Sequence, residues 1–357
     1  MTFSGSYRAD DVTFLLRPLA RQGFTAVDEK ESLIQSGRRH YSQMLSPESA
    51  PSARYMRLFD DACRANNPRM ARDCLRLAAL VAARRPGRVA VVSLARAGTP
   101  VGVVVTRLLR ARFGREVAHY AVSIVRDRGI DAQALRHILA QGHAPEEIVF
   151  LDGWTGKGVI ARELATSSAA FDARIDPGLY VLADLAGAAA CAASGDDYLI
   201  PSSILNATVS GLVSRTVMDE AMGPGDFHGC VVYEQLSPHD RSLAFADDLT
   251  RLALALPATD EAARPLDAAA ARARSRACIG TLMERHDVVD ANMLKPGIGE
   301  ATRVLLRRVP RLLLLRDPGA ADVAHLALLA EEKRVPVEID PTLPYHAVSL
   351  IRSVSDG

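Results

Sequence analysis

The chain has 357 residues, of which 48% are hydrophobic and 24% charged, and its formal net charge is +1. This length predicts two domains with enough residues for a real core. The near-neutral charge gives no general attraction to nucleic acid or membranes. The five cysteines show no pairing in their spacing, the N-terminus has no apolar signal region, and no apolar run approaches 20 residues. We therefore expect a cytoplasmic protein with no membrane segment.

The N-terminal third is expected to be mostly helical, and the next third alternates between strands and helices. This alternation predicts an α/β fold with a mostly parallel sheet and helices on both faces. The helices are predicted at about Asp10–Leu16, Ser32–Leu33, Ser52–Ala65 and Arg69–Ala83, and the strands at Val89–Leu94, Val117–Val125, Ile148–Leu151 and Tyr180–Ala183.

The most informative stretch is Ile148–Thr166, in which an apolar strand, a glycine-rich turn and an amphipathic helix follow one another. In such a turn, backbone N–H groups and a helix N-terminus point toward a bound phosphate. Asp152 stands at the carboxyl end of the strand, where parallel sheets bind ligands. The predicted ligand contacts are Asp152, Gly153, Trp154, Thr155, Gly156, Lys157 and Gly158.

The spacing does not fit a P-loop, because Leu151 and Gly158 stand where a glycine and a hydroxyl are required. It does not fit the dinucleotide fingerprint either. The segment resembles the phosphoribosyltransferase loop in Asp152, Thr155, Gly156 and Gly158. It departs from that loop because Gly153 replaces the usual second acid and the acid-to-threonine spacing is short. A tight strand–helix turn without a ligand is the structural alternative.

A second turn follows the strand Arg88–Ser93 and reads Leu94-Ala95-Arg96-Ala97-Gly98-Thr99-Pro100 before a helix from Val101 to about Arg112. It is similar to the small loop that binds pyrophosphate in phosphoribosyltransferases, and Arg96, Gly98 and Thr99 match. The resemblance implies pyrophosphate contacts at Arg96, Ala97, Gly98 and Thr99.

Between these two turns, Arg126 and Arg128 follow an apolar strand, and Asp131 is the expected N-cap of a helix over Ala132–Ala140. In the resembled enzymes a mobile loop at this place closes over the transition state. The resemblance implies that Arg126 and Arg128 meet the leaving pyrophosphate. A charged, solvated turn is an equal alternative.

The wider resemblance is to the StiP family of phosphoribosyltransferase-like proteins, found among bacterial tellurium-resistance and stress genes. It covers roughly residues 1–250, and some members carry a cysteine-protease label. The matching stretches are Phe3–Tyr7, Asp10–Leu16, Ser93–Pro100, Asp152–Gly158 and Pro201–Thr216. Within the last of them, Asn206, Ser210, Ser214 and Arg215 are candidate contacts to an acceptor substrate, although a serine-rich loop gives the same pattern.

The protease label raises the question of a catalytic thiol, which needs an adjacent base. Cys230 and His228 share one face of a predicted strand, because they are two residues apart. Cys191, in an alanine- and glycine-rich run, is the second candidate. A buried cysteine beside an exposed histidine is the commoner arrangement.

The first domain is predicted to span residues 1–256, followed by a linker at 257–265 and a second domain at 266–357. The second domain resembles the Pelota-type RNA-binding fold in its pattern Gly297, Glu300, Thr302, Arg303. The resemblance implies RNA contacts by Lys295, Gly297, Glu300 and Arg303. A scaffold that recognises a substrate or a protein is the alternative.

Together these resemblances imply an enzyme of the glycosyltransferase class that transfers ribose 5-phosphate from phosphoribosyl diphosphate to an unknown acceptor. Mg²⁺ would arrive with the diphosphate and be held by one carboxylate, Asp152. The expected partners are phosphoribosyl diphosphate or a related nucleotide, RNA at the C-terminal domain, and a second copy in a homodimer. Two alternatives stay open, a cysteine protease of the StiP family and a non-catalytic RNA or nucleotide sensor.

Overall fold

The computed structural model describes residues 2–20, 23–218, 222–223, 225–261 and 266–352. Residues 262–265 of the predicted linker therefore lie outside the described residues. The elements up to residue 256 are β1 (Thr13–Leu15), β2 (Arg17–Pro18), α1 (Val27–Gln35), α2 (Ala53–Arg84), β3 (Val89–Leu94), α3 (Thr99–Phe113), β4 (Val117–Val122), β5 (Ile124–Val125), β6 (Gly129–Ile130), α4 (Ala132–Ala140), β7 (Ile148–Thr155), α5 (Val159–Phe171), β8 (Leu179–Asp184), β9 (Cys191–Ser194), β10 (Gly229–Cys230) and α6 (Ser242–Leu254). Those that follow are α7 (Ala268–Arg285), β11 (Leu294–Pro296), α8 (Ile298–Arg307), β12 (Pro310–Leu315), α9 (Ala324–Glu332), β13 (Val337–Ile339) and β14 (Ala347–Ile351).

The first sheet has six strands in the order β1-β4-β3-β7-β8-β9, and every neighbouring pair is parallel. The chain leaves β3 for β4 on one side and later returns to β7 on the other. The carboxyl ends of β3 and β7 therefore border the crevice where open parallel sheets bind ligands. The predicted α/β class with a parallel sheet is confirmed.

Both faces of this sheet are covered by helices, because successive residues of a buried parallel strand point to opposite faces. In β3, Val89 and Val91 pack into the core formed with α2, α3 and α6, whereas Ala90 and Val92 pack into the core formed with α4 and α5. Burying a large aliphatic side chain contributes about 1.5–3 kcal/mol, so both helical layers are held by the same continuous apolar strands.

The expected helix at Asp10–Leu16 is wrong, because residues 13–15 form β1 and pair in parallel with β4 at the sheet edge. The two helices expected at Ser52–Ala65 and Arg69–Ala83 are one helix, α2, with Pro68 inside it. Proline removes one intrahelical hydrogen bond, but Phe59 and Met70 on either side are buried in the same core and keep the axis continuous.

The second sheet has four strands in the order β11-β14-β12-β13, with β14 antiparallel to its neighbours and β12 parallel to β13. Ile298, Ala301 and Leu305 place one face of α8 in the main apolar core, beside residues of the first sheet and its helices. The smaller C-terminal α/β unit agrees with the fold expected from the sequence, and it is packed tightly on the first.

Candidate functional site

The glycine-rich turn begins three residues later than expected, at Gly156 instead of Gly153. Strand β7 continues to Thr155, so Asp152, Gly153 and Trp154 lie in the strand. Thr155 Oγ1 accepts a hydrogen bond from the Gly158 amide at 3.0 Å, and Gly158 has a φ of 70°. The threonine hydroxyl therefore closes a short turn from β7 into α5.

This turn faces the C-terminal domain across a very close contact. A Cβ atom on Gly156 would lie 2.9 Å from Glu300 Cγ, and one on Gly299 would lie 2.5 Å from the Trp154 ring. Glycine is favoured at both positions because an added carbon would press on the Glu300 side chain or on the indole ring. The first turn of α8 thus packs directly against the turn between β7 and α5.

Trp154, Glu300 and Arg303 form the centre of the contact. Trp154 Nε1 donates a hydrogen bond to Glu300 Oε1 at 3.3 Å, and Arg303 forms an ion pair with the same oxygen at 2.6 Å. The Arg303 guanidinium lies 4.3 Å from the Trp154 ring centre, within cation–π range. Two residues expected to contact RNA instead contact the first domain.

A cavity of about 310 Å³ lies beside this cluster. Its lining draws on α1, the β4–α4 connection, β7, the turn, α5 and the C-terminal domain. Among the described residues, eight cationic side chains line it against two carboxylates, Asp152 and Glu300. The cations are Lys30, Arg126, Lys157, Arg215, Lys295, Arg303, Arg307 and Arg308.

Three of these eight cations have a carboxylate at ion-pair distance, since Arg126 meets Asp127, Arg303 meets Glu300 and Arg308 meets Glu31. The other five have none among the residues that the structure describes. They are Lys30, Lys157, Arg215, Lys295 and Arg307. Apart from Lys295 they donate to neutral oxygens. The described lining of the cavity therefore carries more positive than negative charge.

Burial and repulsion between like charges lower the pKa values of these groups. Burial and repulsion from the neighbouring Lys295 lower the pKa of Lys157 to about 8. Burial also lowers the pKa of Lys30 to about 8, with repulsion from Arg215 and Arg308, and lowers that of Arg215 to about 10. An anion in the cavity would reverse both effects.

Asp152 is 8% exposed and accepts a hydrogen bond from the Gly153 amide at 2.8 Å. Burial raises the pKa of its carboxyl group to about 6, although Arg303 acts in the opposite direction. The Mg²⁺ expected at Asp152 stays a prediction, and the cation-rich lining does not fit a resident divalent cation. Within the described part of the chain, no group of three or more His, Cys, Asp or Glu residues is arranged to hold a metal ion.

The predicted pyrophosphate turn after β3 is packed into the protein. Arg96 is 5% exposed, pairs with Glu48 at 2.6 Å and donates to the Val213 carbonyl at 2.9 Å. A Cβ atom on Gly98 would lie 2.7 Å from the Leu151 carbonyl oxygen. Ala97, Gly98 and Thr99 lead into α3, outside the lining of the cavity. Arg96 thus acts as a structural cross-link in this conformation.

The remaining predicted contacts divide between the cavity and its surroundings. Arg126 and Arg215 line it, and both guanidinium groups lie 5.6 Å from the Tyr41 ring centre. Arg128 is exposed and does not reach the lining. Asn206 Oδ1 accepts from Arg307 at 2.9 Å, and Ser210 bonds to the Asn206 carbonyl. Asn206 lies outside the lining and therefore orients Arg307, which is part of it.

The candidate RNA contacts Lys295, Glu300 and Arg303 also line the cavity. Gly297 precedes α8 with a φ of 90° and donates its amide to the Ala347 carbonyl. Sequence reasoning missed Lys30 and Tyr41, because nothing in the local sequence of these N-terminal segments points to the loop after β7.

The candidate thiols are protonated and partly or fully buried. Cys230 is fully buried, and burial raises its pKa to about 12. His228 Nδ1 instead pairs with Ser123 Oγ at 2.8 Å. Burial also raises the pKa of Cys191, against the effect of Arg84. In the residues that the structure describes, none of the five cysteine sulfurs is hydrogen-bonded to an imidazole.

The fold and the site define a two-domain α/β protein with a cationic cavity between its sheets. No helix among the described residues is long and apolar enough to cross a membrane. Residues 5–250 match the family described as tellurite-like stress resistance cysteine protease StiP, and residues 273–353 match the PELOTA RNA binding domain. The chain is 40% identical to a protein named Cysteine protease StiP from Acinetobacter baylyi, over 99% of this chain and 96% of that protein. No solved structure matches the chain.

The chain belongs to the StiP family, and the recognition made from its sequence is confirmed. The predicted phosphoribosyltransferase function is contradicted, because the family description and the relative's name both give a cysteine protease. An enzyme is consistent with these names, whereas the glycosyltransferase class and phosphoribosyl diphosphate have no support. The match to an RNA-binding domain agrees with RNA as a partner, and a homodimer stays untested.

Proposed function

We propose that this chain is a thiol-dependent peptidase of the StiP family. The observation that carries the proposal is its 40% identity, over nearly the full length of both chains, to a protein named as a cysteine protease. Peptide hydrolysis by a thiol needs a thiolate and a base that accepts its proton. Since no imidazole bonds to a described cysteine, the catalytic pair must form by a local rearrangement, which substrate binding can drive.

The surroundings of Cys191 favour it as the nucleophile. Arg84 lies near it and acts to lower its pKa, as cations do for reactive thiols. Burial and nearby carboxylates together raise the pKa of Cys63 to about 12 and that of Cys278 to about 11. Cys74 and Cys230 are fully buried.

Five single Cys→Ala variants, assayed on a denatured protein substrate and a peptide library, test this proposal. We expect Cys191→Ala to abolish hydrolysis, and the half-buried Cys63→Ala and Cys278→Ala to retain it. Loss of activity in both Cys230→Ala and His228→Ala, with the variants still folded, would instead identify Cys230 as the nucleophile and His228 as its base. Activity that survives in all five variants would rule out thiol catalysis.

We propose RNA binding by the C-terminal domain as a second function, favoured by the match of residues 273–353 to an RNA-binding domain. Three of the four residues expected to touch RNA line the cavity, so a nucleic acid would have to enter by an unpaired nucleotide or a chain end. Filter binding of single-stranded and duplex RNA to the full chain tests this function. We expect single strands to bind and duplexes to bind weakly, and no retention of either would contradict it.

A further inference from the structure

The cavity between the two sheets has the composition of a ligand site. Its volume of about 310 Å³ is at the lower end of the range for small-molecule pockets, which is roughly 300–1,000 Å³. Five of its cations have no carboxylate partner among the described residues. Buried uncompensated charge is costly, so their convergence on one space indicates that an anionic ligand completes the site.

The positions of these cations indicate several negative charges on the ligand. Lys157 reaches the space from the turn before α5, Lys295 from β11, and Arg307 from the last turn of α8. Lys295 Nζ makes no hydrogen bond or ion pair with any described residue. Val159 and Ile160 also line the cavity, and the amides of a first helical turn have no acceptor within the helix. One carboxylate on a ligand would satisfy only a fraction of these donors.

Much of the remaining lining is apolar, which favours a ligand with an uncharged portion as well. Ile34, Ile160, Leu179 and Val304 contribute aliphatic surface, and the Tyr41 ring lies near two guanidinium groups. Flat aromatic and guanidinium surfaces are suited to stacking against a base. Inorganic phosphate alone would leave this surface unused.

We propose that the cavity binds a nucleoside phosphate, with its phosphates on Lys157, Lys295 and Arg307 and its base toward Tyr41 and the aliphatic wall. The site is composite, because the first domain supplies the turn and the second supplies Lys295 and Arg307. Its ligand is a free nucleotide or the terminal nucleotide of an RNA strand. This inference deepens the RNA-binding function proposed above and is independent of the peptidase proposal.

The site lies at the contact between the two domains, so the surface of a folded RNA cannot reach these residues. Glu300 is held between Trp154 and Arg303, and the turn lies directly over the first turn of α8. The space is a half-open pocket of about 310 Å³, which is too small to admit a double helix. A single nucleotide unit matches its size and its two-part chemistry.

Titration of the full chain, followed by calorimetry and by the fluorescence of Trp154, tests the inference. The sequence contains one tryptophan, and it lies at the cavity. The probes are AMP, ATP and GTP for the free nucleotide, and an eight-nucleotide single strand with or without a 5′-phosphate for the RNA end. Binding of the mononucleotides identifies a free ligand, whereas binding of only the phosphorylated strand identifies an RNA terminus.

Lys157→Met and Lys295→Met are the test variants, and Arg276→Met is the matched control, since it removes one positive charge from an exposed site on α7. We expect at least a tenfold loss of affinity in each test variant, as a charged hydrogen bond is lost, and less than twofold in the control. If Lys157→Met does not fold, Lys295→Met carries the test, because its Nζ atom bonds to no described residue.

Two outcomes overturn the inference and separate it from the RNA-binding function. Binding that persists unchanged in both lysine variants means that the ligand lies elsewhere, which leaves RNA binding standing. Absence of binding of every nucleotide and oligonucleotide by the folded wild-type chain overturns both.

Discussion

Trp154 and Glu300, 146 residues apart in the sequence, are joined by a hydrogen bond of 3.3 Å that links the end of β7 to the first turn of α8. The Arg303 guanidinium lies over the indole ring. The contact ties the conformation of the turn to the position of the C-terminal domain. A change on either side of it should therefore alter the stability of the domain interface and the environment of the tryptophan together.

Replacing Gly299 by alanine tests the closeness of this interface. Alanine in a helix is about 1 kcal/mol better than glycine, but a Cβ atom on Gly299 would lie 2.5 Å from the Trp154 ring. We expect a net loss of about 1–3 kcal/mol with a shifted tryptophan emission, measured by urea unfolding. Gly280→Ala, on α7 with no atom within 4 Å of the added carbon, is the control and should be neutral or stabilising. If the two substitutions changed the free energy of unfolding by the same amount, the domains would not be closely packed at Gly299.

Replacing Asp152 by asparagine should stabilise the protein above pH 6. Burial raises the pKa of this carboxyl group to about 6, so between its unfolded value and pH 6 the native state binds more protons than the unfolded state. The free energy of unfolding of the wild type therefore falls as the pH rises through this window. A shift of this size corresponds to at most about 3 kcal/mol, which the variant regains at pH 7 and not at pH 4.

Thermal unfolding of the wild type and Asp152→Asn between pH 4 and 8 measures this difference. Asp10→Asn, at an exposed position, serves as the control and should show no gain that depends on pH in this way. A variant that is less stable at every pH would mean that the carboxylate makes a favourable contact that outweighs its burial.

Replacing Glu48 by alanine should be strongly destabilising. Glu48 holds Arg96 at 2.6 Å and accepts a hydrogen bond from the Ala207 amide at 3.0 Å. Without it a buried guanidinium loses its counter-charge, which costs about 3–5 kcal/mol. Glu48→Gln keeps an acceptor for Ala207 and should cost less. Urea unfolding measures both, and a loss below about 1 kcal/mol in each variant would show that Arg96 is solvated and available for a ligand.

The affinity of the cavity for ATP should fall as the pH rises from 7 to 9. Burial lowers the pKa of Lys157 to about 8, with Lys295 and Arg126 lowering it and Glu300 and Asp290 raising it. Below this pH the lysine is charged and attracts phosphate, and above it the attraction is lost. Calorimetry in buffers of different ionisation enthalpy should detect proton uptake on binding near pH 8. In Lys157→Met the pH dependence should be shallower, and a flat affinity in the wild type would exclude a contribution from this lysine.

Much of the first domain follows from its local sequence. β3 is a mostly apolar run with three valines among its six residues. Helix α4 begins at its expected cap, where Asp131 accepts hydrogen bonds from the Gln133 and Ala134 amides. Such features depend on residues close together in the chain, so the sequence carries them directly. The glycine-rich turn and the family resemblance also rest on short contiguous segments.

Tertiary contacts decided the rest. β1 forms because β4 offers it an edge, α2 passes Pro68 because both halves share one core, and Arg96 is held by Glu48 instead of facing a ligand. The cavity depends most on tertiary structure, since Lys30, Lys157, Lys295 and Arg307 come from four separate parts of the chain. The sequence by itself determined the parallel sheet, the turn and the family, because these depend on local pattern. Only the packing of one domain on the other could determine which charges share a space, because that depends on contacts between residues more than a hundred positions apart.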